Sequence, residues 1–276
     1  MEANTALIWS DWSWEPSVIL GCLLLAGLYL GAAGPWRRRL QRAAALAEAP
    51  LVAGQMAWFM GGLLVVLLAL VSPLDELGDT YLFSAHMVQH MLLVLAAAPM
   101  LLLGTPGWML APLLRKPVTR RIGRWLTQPL VAFLIFNLNY AAWHFPAMYQ
   151  ATLLNENIHI LEHLLFLGTA VLNWWPVLGP AQELPRLPYP GQMLYLFLDA
   201  IPATALGAVL VFADGPIYPF YVSAAHPFGL SAYADQQVGG LIMSSVGGLV
   251  YLAALGGAFM AWLAQEERAA LEPHTQ

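Results

Sequence analysis

The stretch SVILGCLLLAGLYLGAAG (17–34), followed at once by PWRRRLQR (35–42), decides the fold class. The first part carries no charge, and an apolar helix of about 20 residues, rising 1.5 Å per residue, crosses a hydrocarbon core about 30 Å thick. The second part brings Arg37, Arg38, Arg39 and Arg42 together at one end of that helix. Clustered Lys and Arg fix the flank that carries them on the cytoplasmic side. The first helix therefore runs inward from an outer N-terminus. The preceding MEANTALIWSDWSWEP is acidic and aromatic and lacks the basic region of a cleavable signal peptide, so this helix is expected to stay in the mature protein.

Working outward, the same rule gives further spans at 51–72, 83–103, 128–147, 156–178, 191–212 and 236–264. Arg115, Lys116, Arg120, Arg121 and Arg124 then fall between the third and fourth spans, Arg186 between the fifth and sixth, and Arg268 after the seventh. All 11 basic residues share one side, which an even number of spans would prevent. Opposite them, Asp11, Glu15, Asp75, Glu76, Asp79, Glu156, Asp214 and Asp235 form an acidic outer face. The expected architecture is an all-α, polytopic, seven-helix bundle, N-out and C-in, a single membrane domain over residues 1–276.

Composition agrees. At 59% hydrophobic and 10% charged, with a mean hydropathy of +0.64, the chain is far from a soluble globule, where about a quarter of residues are charged. Its small, polarised charge excludes nucleic acid as a partner and leaves the lipid bilayer as the surrounding medium. The lone cysteine, Cys22, permits no intrachain disulfide and no Cys-x-x-Cys metal clip. Trp9, Trp12 and Trp14, and at the other end Trp174 and Trp175, match interfacial aromatic belts. The long outer connection ADGPIYPFYVSAAHPFGLSAYAD (213–235) is expected to fold as a lid over the outer mouth.

Six of the seven histidines, all but His274, fall in or beside the outer half of the membrane. The third span carries His86 and His90 in SAHMVQHM, and the fifth carries His159 and His163 in NIHILEHL. An i, i+4 spacing puts each pair on one helix face. His144, in WHFPAMY, ends the fourth span, and by helical rise His86, His144 and His159 lie about 5 Å inside the boundary, His90 and His163 roughly 10 Å. The pairs are expected to converge, with His226 from the lid as a further donor.

Ionisable groups at this depth are costly and face a partner, a cavity or a metal. Imidazole suits zinc, copper, iron and nickel, and thioether sulfur selects cuprous ion. Met87, Met91 and Met243 lie close to the histidines in sequence or depth, so the set reads as a copper site, with Cu(I) the expected state. Each methionine has core packing as its alternative role. Glu162, beside His163, is expected to sit behind the ligands and orient an imidazole. Asp199 in the sixth span, with Asn137, Asn139 and Asn173, supplies either a proton relay or interhelical hydrogen bonds. Asp235, at the start of the seventh span, reads as a helix-terminal acid.

These residues, in this order, resemble the CtaG-like family of seven-helix cytochrome c oxidase assembly factors of the caa type. The resemblance runs from about Trp58 to Trp262 and rests on HMVQHMLL (86–93), PMLLLGTP (99–106), WHFPAMY (143–149), HILEHLLFLGTAVLNWWP (159–176), IYPFY (217–221) and ADQQVGGLIM (234–243). Met243 is followed by Ser244 where the family pattern has Trp. The resemblance implies a non-enzymatic role in inserting copper into, or otherwise maturing, a haem-copper oxidase of a bacterial cytoplasmic membrane. Oxidase subunits and a periplasmic copper donor are the implied partners. Two other readings stay open. His159-Ile-Leu-Glu-His163 matches the H-x-x-E-H pattern of zinc proteases, and a histidine from each of two helices is the axial pair of a haem b electron carrier.

Overall fold

The computed structural model describes residues 10–44, 53–226 and 228–271, and among these the regular structure is entirely helical. Trp9, His274 and the first two residues of the expected second span lie outside the described residues. In chain order the helices are α1 (Pro16–Ala33), α2 (Arg37–Ala44), α3 (Ala53–Val71), α4 (Pro73–Glu76) and α5 (Phe83–Gly104). Then come α6 (Gly107–Leu114), α7 (Pro117–Leu126), α8 (Pro129–Trp143) and α9 (Pro146–Leu154). The chain closes with α10 (Glu156–Leu178), α11 (Tyr189–Phe212), α12 (Pro219–Ser223) and α13 (Ala232–Leu271). Six of these are long and apolar enough to cross a membrane, and α8 with α9, bent by 72° at the break between them, passes the same test as a pair, as one broken span or as a re-entrant loop.

The break interrupts the single helix expected to run through to residue 147. Pro146 has no N–H to donate and its ring drives Phe145 into an extended conformation, φ −67° and ψ 129°. The helix therefore stops at Trp143. His144 becomes its C-cap, with Nδ1 2.7 Å from the Tyr140 carbonyl.

Helices α5 and α10 lie at the centre. α10 packs against α5 and α8, α8 against α11, α11 against α13, and α13 returns to α5, closing a ring, while α3 lies on α5 and α1 on α3. Glycines permit the closest approach: a Cβ at Gly207 in α11 would lie 2.6 Å from the Gly240 carbonyl oxygen in α13. Turns of π-helix interrupt α5 at Leu92–Ala97 and α13 at Ile242–Val246.

Asp235 does something that sequence position does not suggest. α13 begins earlier, at Ala232, capped by the Ser231 hydroxyl, which accepts from Ala234 N at 3.2 Å. Asp235 instead caps α5, accepting from Phe83 N at 2.6 Å, from Ser84 N at 3.3 Å and from the Ser84 hydroxyl. One carboxylate thus satisfies orphan donors of another helix and fixes where the histidines of α5 begin. Deeper in the bundle, Asp199 accepts from Asn137 Nδ2 at 2.9 Å and from Asn173 Nδ2. Tyr195 in turn donates to Asn173 Oδ1 at 2.7 Å, so these groups serve as interhelical glue.

Candidate metal centre

The i, i+4 pairs of α5 and α10 face each other. Ring centroids lie 5.4 Å apart for His86 and His159, 5.9 Å for His86 and His163, and 5.6 Å for His90 and His163. All are buried except His159, whose side chain is 13% exposed. Glu162, on the same face as His159 and three residues on, points into the gap with no exposed surface.

His86, His90, Glu162 and His163 each offer a ligand atom within 4.8 Å of all the others. Glu162 Oε2 is 3.6 Å from His86 Nε2, and Oε1 is 3.8 Å from His90 Nε2. At these distances the carboxylate lies beyond ordinary hydrogen-bond reach of either ring, and it offers one oxygen to the same group as the three imidazoles. Neither Glu162 oxygen, neither nitrogen of His86 or His90, nor His163 Nε2 has a hydrogen-bond partner. Buried polar atoms are nearly always paired. One such atom from each of the four residues comes within 4.8 Å of the others, an arrangement that a cation would satisfy.

A second group shares His86. Asp79 Oδ1 is 3.4 Å from His86 Nδ1 and Asp79 Oδ2 is 3.2 Å from His159 Nδ1. The three residues again offer atoms within 4.8 Å of one another. Sequence alone puts Asp79 on the acidic outer face and not among the ligands. It reaches the site because the chain after α4 makes a tight π turn, Leu77–Tyr81, with Gly78 pressed on α5: a Cβ there would sit 3.0 Å from His86 Cα. The signal in the sequence is the brevity of the link, which leaves an acid seven residues before His86 little room except over the helix start.

The other expected donors are placed differently. His144 is buried with its ring 6.2 Å from His90, but belongs to neither group. Met87, Met91 and Met243 lie in the apolar cluster with Phe83 and Phe166. His226 is exposed and belongs to neither group. The segment that carries it covers the site, pinned by tyrosines. Tyr218 donates to the His144 carbonyl at 2.9 Å and Tyr221 to the Gly78 carbonyl at 2.6 Å, while the Tyr149 and Tyr221 hydroxyls meet at 2.9 Å. Tyr149 in turn packs its ring 5.2 Å from His86. Beside the site, Asp75 accepts from Ser13 at 2.7 Å and from Gln89 at 2.8 Å. Burial, and then the charge of Asp79, push the Asp75 carboxyl up to about 7 in spite of those two donors.

Among known proteins, 131 residues are 28% identical to an uncharacterized protein of Mycobacterium bovis, covering 42% of this chain and 20% of that protein. An uncharacterized protein of Mycobacterium tuberculosis matches with the same identity and coverage. The match thus spans about a fifth of the length of these relatives. No solved structure matches. Residues 27–265 match the sequence model of the cytochrome c oxidase caa3 assembly factors (Caa3_CtaG), and the chain belongs to that family.

Proposed function

We propose that this protein binds copper through His86, His90, His163 and Glu162 and passes it to a haem-copper oxidase during assembly, without catalysing a reaction of its own. The observation that carries this reading is the convergence of four buried side chains whose ligand atoms have no other partner. Three imidazoles and a carboxylate suit a divalent first-row ion, and cupric ion heads the affinity order for such donors. The cargo is then held as Cu(II) in this group, in place of the cuprous form that methionine ligation favours. Zinc is the natural competitor, with a lower place in the same order.

The test replaces His90 and His163 with Ala. Apolar Ala suits the bilayer, so the variant is expected to insert and accumulate. Its affinity for cupric ion should fall at least a hundredfold, about 2.7 kcal/mol, and cells carrying it should make oxidase deficient in copper and activity. Normal accumulation, parental copper binding and full oxidase activity together would remove the copper role.

The proposal includes an orientation, N-out and C-in, with the histidines facing the periplasm of a bacterial inner membrane, where oxidase subunits and a copper donor reach them. It is motivated by the confinement of all 11 Lys and Arg to one side. Reporter fusions after Gln276 should give a cytoplasmic signal and fusions within 213–235 a periplasmic one. The reverse pattern would sink the orientation.

A further inference from the structure

The group of Asp79, His86 and His159 is separate in its donors from the inner set except for one ring. His86 Nδ1 faces Asp79 and His86 Nε2 faces Glu162, and neither nitrogen has a hydrogen-bond partner. The outer group borders a cavity of about 350 Å³ between α1, α3 and α10. Asp79, His159 and His163 line it together with Glu15, Asp75 and Glu156. The last three come from the ends of helices at the acidic side, since Glu15 caps α1 and Glu156 opens α10. His163, seven residues along α10 from Glu156, lies about 10 Å deeper by helical rise. One space therefore runs from an acidic rim past Asp79 and His159 to the inner set.

We infer that Asp79, His86 and His159 form an outer receiving station for a divalent transition-metal ion, which hands it to the inner set through His86. The inference rests on the metal reading above and adds an order of events to it. Acidic rims raise the local concentration of cations, and Asp79 is 29% exposed, whereas every inner ligand is buried. Neutral imidazole has one lone pair and one N–H, so His86 serves one station at a time. With the ion outside, Nδ1 binds it and Nε2–H faces Glu162. With the ion inside, Nε2 binds it and Nδ1–H faces Asp79. One proton leaves Nε2 and one joins Nδ1 in exchange with solvent, so the protein's proton count and the ion's oxidation state are unchanged. A chain therefore carries one ion, never two.

The test uses the full chain in detergent mixed with cupric ion, read by the quenching of tryptophan fluorescence in stopped flow and by electron paramagnetic resonance. The parent should take up one ion per chain, with three nitrogen ligands. Asp79→Asn and His159→Ala should each load at least tenfold more slowly, and Asp79→Glu should recover much of the lost rate. With His90 and His163 replaced by Ala, the residual weak binding should show two nitrogens, from His86 and His159, and disappear when Asp79→Asn is added. Parental loading rates in both Asp79→Asn and His159→Ala, two ions per parent chain, or residual binding indifferent to Asp79→Asn would each overturn the relay while leaving the inner site standing. A parent that binds no copper would overturn both.

Discussion

Replacing Glu162 with Leu will raise the thermal midpoint of the metal-free protein and remove the further rise that copper gives the parent. Glu162 has no exposed surface, and neither of its oxygens receives a hydrogen bond. A buried carboxylate in that condition costs several kcal/mol, and apolar replacement of buried charged groups is commonly neutral or stabilising by about 1–4 kcal/mol. Copper reverses the sign for the parent. At a free concentration about a thousand times Kd, a ligand that binds only the folded state contributes about 4 kcal/mol. The leucine variant, short of one donor, should lose most of that increment at the same copper concentration. Glu162→Gln should behave likewise with copper, because a neutral amide is a poor ligand for a cation. Melting curves in detergent, with and without cupric ion, decide the matter. A metal-free leucine variant less stable than the parent would make Glu162 a structural anchor and withdraw it from the ligand set.

The second large effect is expected at the crossing of α11 and α13. Valine at Gly207 would force its Cβ to within 2.6 Å of the Gly240 carbonyl oxygen, a backbone atom that cannot turn aside. Overpacking costs about 1–3 kcal/mol where side chains can adjust, and here the two helices must part. Gly207→Val should therefore cost about 3 kcal/mol or more, and the protein should fail to accumulate. A Cβ added at Gly168 in α10 would meet nothing within 4 Å, so Gly168→Val should stay within about 0.5 kcal/mol of the parent. Equal abundance of the two variants in membranes would refute the close crossing.

The spans and the converging histidines are legible in the sequence because both follow from period and length alone. Apolar runs near 20 residues mark crossings, and i, i+4 spacing puts His86 with His90 and His159 with His163 on single faces. What is not legible depends on contacts between distant segments. Asp235 reads as the acid of its own helix and serves α5, 152 residues away. Asp79 reads as surface and reaches His86 only because Gly78 lets the turn lie on α5. Glu162 lies on the face of His159, but whether it bonds a ring or joins the ligand set depends on the distance to α5. His226 illustrates the converse: suitable chemistry in a covering segment, with nothing to aim it inward. The end of α8 is a local feature open to reading, since Pro146 favours a kink or a stop before residue 147.

That early stop has a consequence for the surrounding lipid. Fifteen residues of α8 give a rod about 22 Å long, short of the roughly 30 Å thickness of a bilayer's hydrocarbon layer. A short hydrophobic segment is accommodated by local thinning of the bilayer or by flanking residues held at the interface. α9, turned by 72°, presents exposed Met148 and Leu154 just beyond the break, with Phe145 exposed at the turn itself. Thinning of this kind would draw the headgroups toward His144 on this flank. Such a dent would let a water-borne partner reach the site without crossing hydrocarbon.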